Sequence, residues 1–209
     1  SAFSGCTGLT NVTIPDSVTR IAGSAFSWCT NLTSLSLGNS VSSIGSGAFW
    51  GCAGLRSVTI PDGVTNIGRS AFGGCVSLRA AYFAGDVPSV VDWEGKPTSD
   101  TVFEAPAAVR YLPGTQGWTP TFAGLPTSPW HRPNPTILDF GDRFGPTTSG
   151  FNFVISWATN VPVVVEASTD IGGQGWTPIS TNTLTDGWVQ FTDPDWQSQP
   201  SRFYRVRGK

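Results

Sequence analysis

The 209-residue sequence has no methionine, one histidine and little charge, with 12 Lys and Arg against 14 Asp and Glu for a net charge of -2. Charged residues are 12% of the chain, about half the ~25% usual in soluble domains. Without a basic excess there is no stripe to neutralise phosphates, so nucleic acid is not an expected partner. The single His131 removes most Ser/His/Asp and Cys/His nucleophilic arrangements and most histidine-rich metal sites. No run approaches the ~18 apolar residues of a membrane span, and the first residues lack a signal-peptide pattern, so no membrane insertion is expected. The absent methionine, at a Ser1 that stands in mid-pattern, is the expectation for a chain processed from a longer precursor or for a fragment.

What is present excludes disorder. Nine Trp, thirteen Phe and 39% hydrophobic residues are enough to build cores, and 25 Gly with 16 Pro punctuate the chain. The four cysteines, Cys6, Cys29, Cys52 and Cys75, recur every 23 residues, and a fixed period is the mark of stacked repeats. The blocks SAFSGCTGLTNVTIPDSVTRIAG, SAFSWCTNLTSLSLGNSVSSIGS, GAFWGCAGLRSVTIPDGVTNIGR and SAFGGCVSLRAAYFAGDVPSVVD fill residues 1-92. Each carries Ala-Phe at its second and third positions, Cys at the sixth and Leu at the ninth (Leu9, Leu32, Leu55, Leu78). The pairs Val12/Ile14, Leu35/Leu37 and Val58/Ile60 then alternate like short strands, each stopped by Pro-Asp or Gly-Asn. A block this short cannot bury two faces alone. Consecutive blocks must therefore stack, their strands paired in parallel at ~4.8 Å.

These blocks resemble the BspA-type leucine-rich repeats of bacterial surface proteins, which read AF-x-x-C-x-x-L-x-x-[VI]-x-[IL]-P-x-x-V-x-x-I, over nearly all of residues 1-83. The resemblance implies a solenoid, an extracellular or cell-surface location and an adhesive rather than catalytic role. The fourth block departs from the pattern at Ala80-Ala81-Tyr82-Phe83 and Gly85-Asp86. The expected fold is mainly β: a short solenoid of four 23-residue repeats (1-92), a cap (93-130), a Pro-rich linker (131-135) and a small β-sandwich (136-209). The cap is read from the Val109-Leu112 strand, Trp118 and the Phe122-Pro126 loop, and it would cover the last coil's apolar cross-section. In the sandwich, Phe151, Phe153, Ile155 and Trp157, then Val161, Val163, Val165 and Ala167, then Arg202-Arg207 alternate between turns. Glu166-Ala-Ser-Thr, Trp176-Thr-Pro, Phe191-x-Asp193 and Phe203-Tyr-Arg205 there resemble Ig/fibronectin-III-like modules of secreted bacterial proteins.

Cysteines at equivalent positions point the same way, so a column of free buried thiols is expected. Parallel Cβ vectors disfavour disulfides. On the solvent side of the strands, Thr10, Thr33, Arg56 and Arg79 form one column and Thr13, Ser36, Thr59 and Tyr82 another. Trp28 and Trp50 stand where other blocks hold Gly or Ser, so the repeat core does not require them. Trp28, Trp50, Arg56, Arg79 and Tyr82 form the candidate binding surface, for a polysaccharide or a host or matrix protein. Packing against another part of the chain explains the two tryptophans equally well. Phe3, Leu9, Val12 and Ile14 are expected as an exposed apolar rim beside an unpaired strand edge. Such an end would let copies add head to tail into a filament. Asn11 and Asn31 head N-x-Thr sequons and are candidate glycan acceptors. The pairs Asp139/Asp142 and Asp193/Asp195 could serve acid-base chemistry or calcium, but both lie in turns where Asp caps backbone. No catalytic residue, metal or cofactor is expected. The function read from the sequence is that of a non-catalytic, adhesive surface protein that self-associates, with a monomeric ligand-binding adhesin or an enzyme's accessory region as alternatives.

Overall fold

The computed structural model describes residues 1-104, 107-139, 143-173 and 175-209. It is mainly β and divides into two compact units: Ser1–Tyr111 with Thr115–Pro129, and Leu112–Gly114 with Trp130–Lys209.

In the first unit each 23-residue block makes one coil with two short strands, giving β1 (Asn11–Thr13), β2 (Arg20–Ile21), β3 (Ser34–Ser36), β4 (Ser43–Ile44), β5 (Ser57–Ile60), β6 (Asn66–Gly68), β7 (Ala80–Phe83) and β8 (Ser89–Val91). Pairing is parallel and in repeat register: Val12 faces Leu35 across β1 and β3, and Thr59 faces Tyr82 across β5 and β7. The second strand of each coil stacks likewise in the order β2-β4-β6-β8, with Ile21, Ile44, Ile67 and Val90 in one inward column. This second sheet was not anticipated, because only two or three residues per coil form it. The turns are laddered too: Phe26 N–H donates to Ala48 O and Phe49 N–H to Ala71 O, both at 2.8 Å. Hydrogen bonds thus tie coil to coil at the turns as well as along the strands.

Inside, the Ala-Phe position makes a column of rings. Phe3, Phe26, Phe49, Phe72 and Phe103 stack with centroids 5.0, 5.4, 5.3 and 5.7 Å apart. Phe103 joins although it is out of register with the 23-residue period, paired to Phe72 by an isolated parallel bridge. Strand β9 (Ala108–Tyr111) adds in parallel to β7, and β11 (Leu125–Pro129) adds in parallel to β9, after β10 (Thr121–Phe122). Over Phe83, Trp118 and Phe122 pack edge-on at 5.0 and 5.4 Å, and Trp118 stacks on Tyr111. At the other end Phe3 is 47% exposed while Leu9 and Val12 are half-buried. Ile14, expected on that exposed rim, is instead buried at 8%, because its side chain turns into its own coil and joins the main core cluster.

The four cysteines are free, Cys6 half-buried and the other three buried. Cys29, Cys52 and Cys75 Sγ donate to Phe3, Phe26 and Phe49 carbonyls of the preceding coil, each at 3.2 Å. The thiols thus serve as small apolar fillers that each satisfy a carbonyl. Burial pushes the Cys29 thiol above its ordinary range, and the neighbouring Cys75 thiol together with burial does so for Cys52.

The second unit contains β12 (Thr136–Leu138), β13 (Gly145–Thr147), β14 (Gly150–Ser156), β15 (Val161–Ser168), β16 (Thr177–Leu184), β17 (Trp188–Asp193) and β18 (Phe203–Gly208). β12 and β13 share one edge of β14 while β17 pairs with its other edge, and β15 lies between β16 and β18. Phe153, Ile155 and Phe191 from the first sheet meet Val163, Val165 and Leu184 from the second in one core.

Candidate functional site

Position five of every block, and position one of the second to fourth (Ser24, Gly47, Ser70), adopt a left-handed backbone. At position five the φ angles are +73° for Gly5, +61° for Trp28, +73° for Gly51 and +64° for Gly74. Three coils use the residue that tolerates this region without cost, and the second uses tryptophan. The Trp28 ring lies over Gly51, where an added β-carbon would come within 2.9 Å of its Cε3. One position earlier in the next coil, Trp50 lies over Gly73, whose β-carbon would come within 2.6 Å of its Cδ1. The glycines are seats, and the two rings meet edge to face at 4.4 Å and 88°.

A third tryptophan joins them from outside the repeats. Asp92-Trp93-Glu94-Gly95-Lys96 is a tight hairpin tip with Gly95 at φ +82°. Asp92 Oδ1 accepts from Glu94 N–H at 2.8 Å and Lys96 N–H at 3.0 Å, and Asp92 N–H donates to Lys96 O at 2.9 Å. The turn holds Trp93 out at 75% exposure, with Trp28 at 52%. Arg69 lies over the Trp93 ring at 5.6 Å and 3.5 Å from Asp100. Trp28, Trp50, Trp93 and Arg69 line a groove of about 350 Å³ together with serines of the coil turns.

The candidate surface is therefore two places. Trp28 and Trp50 line the groove, whereas Arg56 and Arg79 are exposed beside the first strand column and half-buried Tyr82 stands within it, on β7. Trp93 was missed by the sequence reading; its signal was the Asp-Trp-Glu-Gly turn directly after the last repeat. Asn11 is exposed on β1, its amide donating to Thr10 Oγ1, and the Asn31 amide nitrogen donates to Thr7 O at 2.8 Å.

Residues 1-93 match the family described as BspA type leucine-rich repeat region (6 copies). This segment is a BspA-type leucine-rich repeat region. No curated protein matches the chain. BspA-type repeats are protein-interaction modules, typical of bacterial surface proteins, and are not catalytic units. Among the described residues, no helix is long and apolar enough to cross a membrane, and no group of three or more His, Cys, Asp or Glu could hold a metal ion.

The polar residues that stand out in the second unit hold its strands together. Asp193 is buried; its Oδ1 accepts from Asp195 N–H at 3.0 Å, and its Oδ2 accepts from Tyr204 Oη at 2.8 Å and lies 2.6 Å from Arg202 Nε. Burial and Asp193 together push the Tyr204 phenol above its ordinary range. Glu166 on β15 accepts from Arg205 Nε at 2.7 Å and Arg207 Nε at 2.9 Å, and Arg205 also lies 4.5 Å over the Trp176 ring. Hydrogen bonds from Arg207 and Arg205 hold the Glu166 carboxyl below the usual carboxylate range. Of the other acidic pair, Asp139 is exposed and Asp142 lies outside the described residues.

Proposed function

We propose that this chain is a non-catalytic, extracellular adhesion module of a bacterial surface that grips its partner in the tryptophan groove. The observation that supports this reading is the convergence of Trp28, Trp50 and Trp93 on one recess, with two of the rings half or more in water. Tryptophan dominates binding hot spots, and clustered exposed apolar surface marks interaction sites. Beads coated with the chain should adhere to surfaces bearing an extracellular matrix protein or a polysaccharide. Changing Trp28→Gly together with Trp93→Ala should lower adhesion about tenfold or more, and changing Arg56→Ala with Arg79→Ala should not. Adhesion that is absent, or indifferent to the tryptophans, refutes it.

A further inference from the structure

We infer that the tryptophan groove is a binding site for a neutral polysaccharide; this rests on the adhesive role proposed above and names the class of its ligand. Trp93 stands between two recesses. On one side is the groove of about 350 Å³ with Trp28 and Trp50. On the other is a polar recess of about 580 Å³ lined by Arg20, Asn66, Asp92 and Glu94. They share Ser24, Ser46 and Trp93, so the two form one trough crossing successive coils, and each volume lies in the ~300-1,000 Å³ range of ligand sites.

The lining fits a chain of pyranose rings. Carbon-bound hydrogens on the flat side of such a ring are weakly positive and attract the negative face of an indole. The ring's hydroxyls point outward at its rim, where the serine hydroxyls and the Asn66 amide stand. Two of the indoles are fixed in advance, with Trp28 seated on Gly51 against Trp50, and the Asp92 turn fixes the backbone that carries Trp93. Binding therefore loses little side-chain freedom.

Charge excludes the acidic alternatives. The two recesses are lined by two basic residues, Arg20 and Arg69, and two acidic ones, Asp92 and Glu94. Arg69 already meets Asp100 at 3.5 Å, and Glu94 meets Lys96 at 2.7 Å. No net field is left to attract an anionic glycan.

The test is native electrophoresis of the full chain through gels that each hold one soluble polysaccharide. Hydroxyethylcellulose, xyloglucan, galactomannan, mannan and dextran are the neutral probes, with alginate and hyaluronan as acidic ones. At least one neutral glycan should retard the protein, alginate and hyaluronan should not, and added salt should change little. Trp93→Ala, at an exposed turn tip, and Trp28→Gly should each weaken retardation about tenfold or more, with Arg56→Ala unchanged. No retardation by any neutral glycan, or retardation that survives both tryptophan changes, overturns the proposal. Tryptophan-dependent adhesion to a matrix protein without glycan retardation overturns the ligand class and leaves the adhesive role standing. Loss of both overturns both.

Discussion

Replacing Trp28 once by alanine and once by glycine isolates the strain stored at this position. Both changes remove the same ring. About half of that ring's surface is covered, roughly 100 Å² of the ~150-250 Å² that an aromatic side chain can bury, worth ~2.5 kcal/mol at ~25 cal/mol/Å². The edge-to-face contact with Trp50 at 4.4 Å adds about 1 kcal/mol. Only the glycine variant also relieves the left-handed backbone at φ +61°, which costs an L-residue ~1-2 kcal/mol. Against this, glycine's freedom in the unfolded chain costs ~0.4-1 kcal/mol. The net expectation is that Trp28→Ala destabilises by about 3.5 kcal/mol, and that Trp28→Gly is more stable than Trp28→Ala by ~0.5-1 kcal/mol. That order is the reverse of the usual one. Urea unfolding followed by far-ultraviolet circular dichroism reads both midpoints, and an alanine variant as stable as the glycine variant, or more so, would show that Trp28 carries no strain.

The other expectations concern the core, the thiols and the second unit. Phe49 is fully buried between Phe26 and Phe72, so Phe49→Ala should cost ~3-5 kcal/mol. Phe3→Ala, at a half-exposed ring, should cost about 1 kcal/mol; equal losses in thermal unfolding would contradict the column. Iodoacetamide under native conditions should modify half-buried Cys6 first, while Cys29 and Cys52, whose thiols are buried and held above their ordinary range, should react only as the repeats open. Mass spectrometry that finds Cys52 labelled as fast as Cys6 would refute this. Glu166 has a folded pKa held below its unfolded ~4.3, so its pairing with Arg207 and Arg205 stabilises above that value and fades as pH falls through the lower folded one. Denaturation of the second unit should accordingly become easier below about pH 4, and Glu166→Gln should flatten that dependence; an unchanged acid limb in the Gln variant would count against it.

Much of the fold was legible because a period is a local property repeated. The 23-residue spacing states which residues are equivalent, and parallel stacking brings equivalent residues into contact, so the Phe and Cys columns and the pairings Asn11 with Ser34 and Ser57 with Ala80 follow directly. The β2-β4-β6-β8 sheet was harder to see, since an inward Ile flanked by one polar residue is too short to display alternation. Phe103 was invisible as a rung because the insertion before it breaks the count. In the second unit Glu166, Trp176, Asp193, Tyr204 and Arg205 stood out one by one, and their closeness in space shows that they cross-link strands.

The sequence by itself determined the coil, its register and the fact that Trp28 and Trp50 are departures from the rule of their own repeat. It placed Trp28 where the other three coils have glycine, and the structure added that the backbone there is left-handed. Only the tertiary structure decided that the two rings meet, because they occupy different positions in adjacent blocks and touch through the offset of one coil on the next. Likewise it alone set Trp93 beside them: a turn motif fixes how a hairpin tip bends, but which surface the tip overhangs depends on where β8 lies in the stack. Of the five residues read as a candidate surface, Trp28 and Trp50 lie with Trp93 and several serines along one groove, and Arg56, Arg79 and Tyr82 lie apart from it on the strand side.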